Sequence, residues 1–510
     1  MIHHPQLSTM TDTITFHSTR IPDRPAVLTS TGQRSTYREL AQASEALAAG
    51  LVTLGVGAGD RVAYLGREAP AYWELLFAAA RIGAVLVPVN WRLTAVEVEH
   101  ILVDSDTVVV FLDGDHPLRG TTGRHEVITD TGYPAWRDTL RPPAPPYDAT
   151  PSTPLAQLYT SGTTGLPKGV LLPHRSFFAI RDSLADAGLD WIDWIDGDIA
   201  LIGIPGFHIG GLWFATQAFH AGAAVYSMPV FDPATVRRAV RDDGVTTAIF
   251  VPAMMRSIVS DGQGADDFTG LRKIIYGGAP ISEALLEESV RVFDCDFAQI
   301  YGLTETGNTA ICLPPDQHVP GSPRLRAAGR PYPGVEVRIV TDGLEVPQGS
   351  VGEVHLRTPA AMLGYWNLPD ATAATLVDGW VRTGDAGYLD SEGYLYIQDR
   401  VKDMILVAGE NVFPAEIENA LAAHPKVADA AVVGVPDEHT GEAVLAHVVF
   451  RPGEQASTRE LMLFLRSRLA DFKLPNRYEV IDAVPRNPSG KILRRELREP
   501  YWQGHERRVN

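Results

Sequence analysis

Residues 159–170 read Tyr-Thr-Ser-Gly-Thr-Thr-Gly-Leu-Pro-Lys-Gly-Val, the densest concentration of anion-binding chemistry in the chain. Glycine lets consecutive backbone N–H groups turn towards one point, and Thr160, Ser161, Thr163 and Thr164 set hydroxyl donors around Gly162. Lys168 adds a cation able to reach the same anion, so the segment is suited to phosphate oxygens. It is not a P-loop, whose lysine is followed by Ser or Thr; here Lys168 follows Leu-Pro and precedes Gly169. Gly55, Gly57 and Gly59 likewise fall short of a dinucleotide fingerprint, because Asp60 stands where the third glycine is required. That stretch reads as a turn between a helix and a strand, and a Rossmann dehydrogenase is disfavoured.

Elsewhere single residues carry the candidate chemistry. Glu305 directly follows Thr304, and a carboxylate is the hard oxygen ligand that Mg²⁺ prefers. Gly278, Ala279 and Pro280 offer a thin backbone wall, and Tyr301 a ring, which together suit a flat base. Asp385, after Thr383-Gly, is able to accept both hydroxyls of a ribose. His208 sits in Pro205-Gly-Phe-His-Ile-Gly-Gly, and Lys491 in Arg486-Asn-Pro-Ser-Gly-Lys-Ile, ahead of Arg494 and Arg495. Each has a plainer reading when taken alone: a solvated acid, a core aromatic, a turn aspartate, a satisfied core histidine, a surface lysine.

The elements that must hold these residues follow from periodicity. Residues 36–54 have apolar positions at helical spacing, 61–65 form a short strand, 70–82 a second helix with proline in its first turn, and 84–89 a buried strand. Strands alternating with helices imply a mostly parallel sheet covered on both faces. Between residues 336 and 397 the period shortens to two, which predicts a smaller β-rich subdomain. Beyond a boundary at Asp399-Arg-Val-Lys-Asp403, residues 414–423 and 458–470 read as helices, and 427–435 and 443–450 as strands. The expected architecture is therefore α/β. A large N-terminal domain (1–399) of mostly parallel sheets covered by helices, with a β-rich subdomain, precedes a small α+β C-terminal domain (400–510).

Composition bounds the function classes. The 510 residues are 45% hydrophobic and 21% charged, as in a soluble globular protein, and the formal net charge of −18 argues against a nucleic-acid platform. The two cysteines, Cys295 and Cys312, lack zinc-ligand spacing, which fits a reducing, cytoplasmic setting without a disulfide framework. The start lacks the basic and apolar regions of a secretory signal, and Met10 offers an alternative first residue. Residues 199–231 contain no Asp, Glu, Lys or Arg, yet Gly203, Pro205, Gly206, Gly210, Gly211, Gly222 and Pro229 interrupt them. A buried strand–loop–helix is expected there instead of a transmembrane span, which leaves peripheral membrane contact open.

Taken in order along the chain, Tyr159–Val170, Phe207-His208, Gly277-Gly-Ala-Pro280, Tyr301-Gly-Leu-Thr-Glu305, Thr383-Gly-Asp385, Asp399-Arg400 and Pro488-Ser-Gly-Lys491 resemble the motifs of the acyl-adenylating superfamily. That superfamily comprises acyl-CoA synthetases, adenylation domains and luciferases, and the sequence is most similar to the fatty-acyl and aryl-CoA ligases. The resemblance implies an AMP-forming acid–thiol ligase of fatty-acid metabolism that uses ATP, Mg²⁺ and CoA on a small-molecule carboxylic acid. It implies that Thr160, Ser161, Gly162, Thr163, Thr164 and Lys168 hold the β- and γ-phosphates, Thr304 the α-phosphate and Glu305 the Mg²⁺. Gly278, Ala279, Pro280 and Tyr301 would take adenine, and Asp385 with Arg400 the ribose. His208 would lie beside the acyl carboxylate, and Lys491 would bridge that carboxylate and the α-phosphate. By the same resemblance the small domain is mobile, pivoting near Lys402 and presenting Gly409 to CoA. The usual Met-Phe-His or Leu-Phe-His is Gly206-Phe-His here, a change expected to widen or loosen the pocket wall. Gly210, Gly211, Trp213, Phe214 and the segment after Glu305 are expected around the acyl group. Competing readings keep the adenylation but change the acceptor to a carrier-protein thiol or an amine, or activate another acid such as nitrite. A noncatalytic acyl-binding or membrane-transport protein is the reading from a different class.

Overall fold

The computed structural model describes residues 2–140, 147–160, 167–260, 265–408, 410–437, 439–486, 490 and 492–503, without the side chains of residues 265, 266, 402 and 411. Two mainly parallel sheets make up most of it. In the first, six parallel strands lie in the order Asp296–Tyr301, Lys273–Gly277, Thr247–Phe250, Ile199–Ile202, Ala224–Ser227 and Pro25–Thr29. Antiparallel strands extend both edges, Ile311–Leu313 and Arg330–Pro331 on one side and Arg34–Thr36 on the other. The second runs Gly364–Tyr365, Lys168–Pro173, Pro154–Thr160, Val85–Val89, Arg61–Leu65, Thr107–Leu112 and His125–Ile128, the last five being parallel. Val85–Val89 is buried at every position, as a strand covered on both faces must be.

Local chemistry explains the element ends. The helix Tyr37–Thr53 starts in a capping box between Thr36 and Glu39, and Pro70–Ile82 carries its proline in the first turn and ends on left-handed Gly83. The uncharged stretch resolves into strand Ile199–Ile202, helix Ile209–Ala221 and strand Ala224–Ser227, with Gly210 to Ala221 all buried. No helix among the described residues is long and apolar enough to cross a membrane. Residues before Met10 belong to the packing: Leu7 is buried, and Thr9 forms a capping box with Asp12 at the start of helix Met10–Arg20.

Glu336–Thr341, Gly352–Arg357, Trp380–Leu389 and Leu395–Arg400 form an antiparallel sheet with shorter strands at its edges. Further on, Val427–Asp437 pairs with Gly441–Phe450 beneath helices Pro414–Ala422 and Thr458–Arg466. The last helix is shorter than the expected 458–470. After Arg466 the N–H groups of Arg468 and Leu469 both fold back on the Leu465 carbonyl, and the chain turns into the 3₁₀ segment Asp471–Lys473. The principal hydrophobic core runs from Met10 to Leu395, and a separate one from Ile405 to Leu465. A buried ionic cluster lies at the seam between them. Arg494 pairs with Glu418 at 2.7 Å and stands 3.8 Å from both Asp399 and Asp403, while the Ala415 N–H donates to Asp399 at 2.8 Å.

Candidate active site

The glycine-rich segment spans the tip of an antiparallel hairpin in which Thr160 faces Lys168. Ser161, Gly162, Thr163 and Thr164 lie outside the described residues. The two-residue strand Gly364–Tyr365 adds to the outer edge of this hairpin, opposite Leu171 and Val170. From there the Tyr365 hydroxyl donates to Glu305 Oε1 at 2.7 Å, and Lys168 Nζ sits 5.2 Å from the Tyr365 ring centre. Thus Lys168 and Glu305, 137 positions apart by their residue numbers, meet around one tyrosine that sequence reasoning missed.

Glu305 lies in the short 3₁₀ turn Thr304–Thr306 that follows strand Asp296–Tyr301. The Thr306 hydroxyl accepts from Leu303 N at 2.8 Å and so tightens the turn. Gly307 ends it at φ +72°, where a Cβ would come within 2.6 Å of the Ala360 carbonyl; only glycine meets both demands. Thr304 and Glu305 are held half-buried at the end of a parallel strand. The donor set suits a hard cation, since one Glu305 oxygen is tied to Tyr365, which orients the carboxylate as a supporting partner does around a metal.

Strand pairing places Asp385 opposite Arg400. Arg400 Nε lies 2.6 Å from Asp385 Oδ1, and the Tyr301 hydroxyl donates to Asp385 Oδ2 at 2.7 Å. Burial first, then the adjacent Asp385 charge, push the Tyr301 phenol well above its ordinary value, so it stays a donor. The expected ribose acceptor and the expected adenine ring are therefore one hydrogen-bonded unit. The Gly277–Pro280 wall leaves its strand at Gly278, φ +80°, where an added Cβ would meet only Val251 Cγ1, at 3.7 Å. Val251 also lies near Gly490: a Cβ there would be 3.9 Å from Val251 and 3.3 Å from Ala253. Gly490 and Gly278 thus share Val251 as a neighbour, while Lys491 itself lies outside the described residues. Gly409, which follows Ala408 in sequence, and the side chain of Lys402 in the turn Val401–Asp403 also lie outside the described residues.

His208 is the N-cap of helix Ile209–Ala221. Its Nε2 is buried without a hydrogen-bond partner among the described residues. Burial, then the positive charge of Arg92, lower its pKa to about 4, leaving a neutral imidazole at pH 7. Asn308 is also buried, holds φ +87°, and has an Nδ2 without a partner among the described residues. The direction of a Cβ on Gly210 points at Ile204 and at Asn308 Oδ1, 3.2 and 3.7 Å away, so Gly210 faces the segment after Glu305 as expected. Three expectations need correction. A Cβ on Gly211 would lie 2.1 Å from the Ile204 carbonyl, so this glycine permits helix–loop contact and opens no pocket. Trp213 and Phe214 are core residues, Phe214 packing on Trp194 with ring centres 5.3 Å apart. Gly206 does not loosen the wall, because the Tyr72 ring fills its place, 2.8 Å from where a Cβ would be.

Residues 15–366 match the family described as AMP-binding enzyme, and residues 416–491 its AMP-binding enzyme C-terminal domain. The chain is 59% identical over 517 aligned residues to the fatty acid–[acyl-carrier-protein] ligase ScoC of Streptomyces coeruleorubidus, covering 100% of this chain and 99% of that protein. It is 37% identical to a feruloyl-CoA synthase of an Amycolatopsis species over 92% of this chain and 94% of the other. Among solved structures, the o-succinylbenzoate coenzyme A synthetase of Bacillus subtilis in complex with ATP and magnesium ion superposes with a TM-score of 0.85. That match is at 30% identity over 95% of this chain and 98% of the other.

Proposed function

The chain belongs to the AMP-binding enzyme family of adenylate-forming ligases, and on that premise we propose that it joins a fatty-type carboxylic acid to the pantetheine thiol of an acyl-carrier protein. End-to-end similarity to a fatty acid–[acyl-carrier-protein] ligase, at 59% identity, is the observation that carries the choice of acceptor. CoA, which presents the same thiol, is the second reading, favoured by the similarity to feruloyl-CoA synthase at 37% identity.

In the first half-reaction a carboxylate oxygen of the acid attacks the α-phosphorus of ATP, and pyrophosphate leaves with the P–O bonding pair. In the second, the thiolate sulfur attacks the acyl carbonyl and AMP departs, leaving a thioester. Both steps need anions brought together against their repulsion, so positioning and electrostatics supply the catalysis. Lys168, with Thr160 to Thr164, is assigned to the β- and γ-phosphates and Thr304 to the α-phosphate. Asp385 and Arg400 take the ribose, and Gly278 to Pro280 with Tyr301 take adenine. Glu305 would hold Mg²⁺, which neutralises phosphate charge when bound. The unpartnered Nε2 of His208 supports placing the acid carboxylate beside it. Lys491 is assigned to adenylation, a reading supported by its neighbour Gly490, which lies near the Val251 that also adjoins Gly278. Residues 1–399 and 400–510 are taken as the two moving bodies, with Lys402 as pivot and Gly409 beside the pantetheine arm in the second step.

The test is a straight-chain panel from butyrate to laurate, read by pyrophosphate release and then by intact mass of the thiol acceptor. Loading of a holo-carrier protein well above CoA acylation is the expected result. CoA acylation at an equal or higher rate would replace the carrier-protein assignment with the CoA one, and no acid-dependent pyrophosphate release would sink both.

A further inference from the structure

Glu68 lies between strand Arg61–Leu65 and helix Pro70–Ile82, is only 7% exposed, and accepts a hydrogen bond at Oε1 from Gly206 N–H. Tyr72, one turn further on and 2% exposed, donates its hydroxyl to the Gly206 carbonyl at 2.7 Å. Both peptide groups of one glycine are thus gripped from one short stretch of chain, the loop before helix Pro70–Ile82 and that helix's first turn. Two residues later comes His208, whose N–H closes a turn onto the Pro205 carbonyl at 2.9 Å and which holds the N-cap position of the next helix without a side-chain capping bond. A shift of Gly206 therefore passes directly to His208.

We propose that Glu68 and Tyr72 are positioning residues for recognition of the acid, fixing His208 through the backbone of Gly206. The inference rests on the reading that places His208 beside the acid carboxylate. Packing alone does not require this polar pair, since phenylalanine would fill the space of the Tyr72 ring, and a buried carboxyl and hydroxyl each carry a desolvation cost. Gly206 completes the device. With Tyr72 carbons and oxygen 2.8 Å from the place of its Cβ, no other residue lets the ring come close enough to reach the carbonyl. Charge is consistent as well. Burial raises the Glu68 pKa to about 8, against the pull of Gly206 N–H and Ser227, so near pH 7 it presents no full negative charge towards the loop that meets a carboxylate substrate.

Steady-state pyrophosphate release, with the best acid of the butyrate-to-laurate panel and ATP varied in turn, tests the proposal on Tyr72→Phe, Glu68→Ala, Glu68→Gln and His208→Ala. Tyr72→Phe and Glu68→Ala are expected to raise the KM for the acid roughly three- to tenfold, the scale of one lost hydrogen bond, with the KM for ATP unchanged. Glu68→Gln keeps an oxygen for Gly206 N–H and is expected to recover most of the loss. Should Glu68→Ala fold poorly, Tyr72→Phe, which keeps the ring, carries the test alone. If His208→Ala raises the acid KM while Tyr72→Phe and Glu68→Ala do not, or if acid and ATP values rise together in those two, the positioning role is overturned and the assignment of His208 stands. If His208→Ala leaves the acid KM unchanged, the parent reading falls and takes the inference with it.

Discussion

Glu68 changes its pKa from 4.5 in an open chain to about 8 in the fold, with burial as the main cause. Between those values the folded protein holds a proton that the unfolded chain has released, so stability falls as pH rises through this window and levels off above it. Glu68→Gln has no such proton. The melting temperature of this variant relative to the wild type is therefore expected to climb from about pH 5 to about pH 8 and then stay constant, and a flat difference would place Glu68 in a wetter site. Tyr365→Phe removes only the hydroxyl that orients Glu305. Titration of Mg²⁺ against adenylation should show half-saturation displaced upwards about threefold to tenfold with the fold retained, and an unchanged curve would mean the contact is incidental to the metal. Lys168, Glu305, Tyr301, Asp385 and Arg400 could be picked out as candidates from the sequence because each sits in a short motif whose neighbours point to it. Tyr365, Glu68 and Tyr72 were not, since their meaning lies in partners 60, 138 and 134 residues away, which no local pattern encodes.

Helix Ile209–Ala221 begins against its own preceding loop, and Gly211 is where the two backbones touch. Gly211→Ala would gain helix propensity yet drive a methyl into the Ile204 carbonyl, 2.1 Å from its ideal position. Steric cost should dominate, with a net loss of about 1–3 kcal/mol in urea unfolding; a stabilised variant would mean the loop yields freely. Periodicity served well for the elements that are long and amphipathic or wholly buried, such as Tyr37–Thr53 and Val85–Val89. It misplaced the end of Thr458–Arg466, where apolar spacing continues to Leu469 but the backbone has already left the helix. It had no means of finding Gly364–Tyr365, two residues whose strand geometry comes entirely from the edge they join.

Two hydrophobic cores meet at a seam where Arg494 faces the buried carboxyls of Glu418, Asp399 and Asp403, with Arg498 a further partner of Asp403 at 3.7 Å. Arg494→Met would leave Glu418, Asp399 and Asp403 facing one another without that cation. Hydrogen exchange should report a loss of about 3–5 kcal/mol around residues 405–465 at neutral pH. Glu418 already has a pKa of about 7, raised by burial against the pull of Arg494, so without the arginine it should hold its proton more firmly. The defect should then shrink as pH falls and the carboxyls neutralise; a loss independent of pH would assign it to packing instead. A change of pattern near residue 400 was visible in the sequence, whereas the seam chemistry was not, because Asp399, Asp403, Glu418 and Arg494 are spread over 95 positions. The order of strands in the first sheet has a consequence for synthesis. Strand Pro25–Thr29 takes its parallel partner from Ala224–Ser227, about two hundred residues later. At ~5–20 residues per second a ribosome needs about 10–40 s to deliver that partner. Until then Ala26, Val27 and Leu28, buried in the finished fold, wait on the nascent chain as an unclaimed apolar edge. Their early partner is the antiparallel strand Arg34–Thr36, which covers only one edge of Pro25–Thr29.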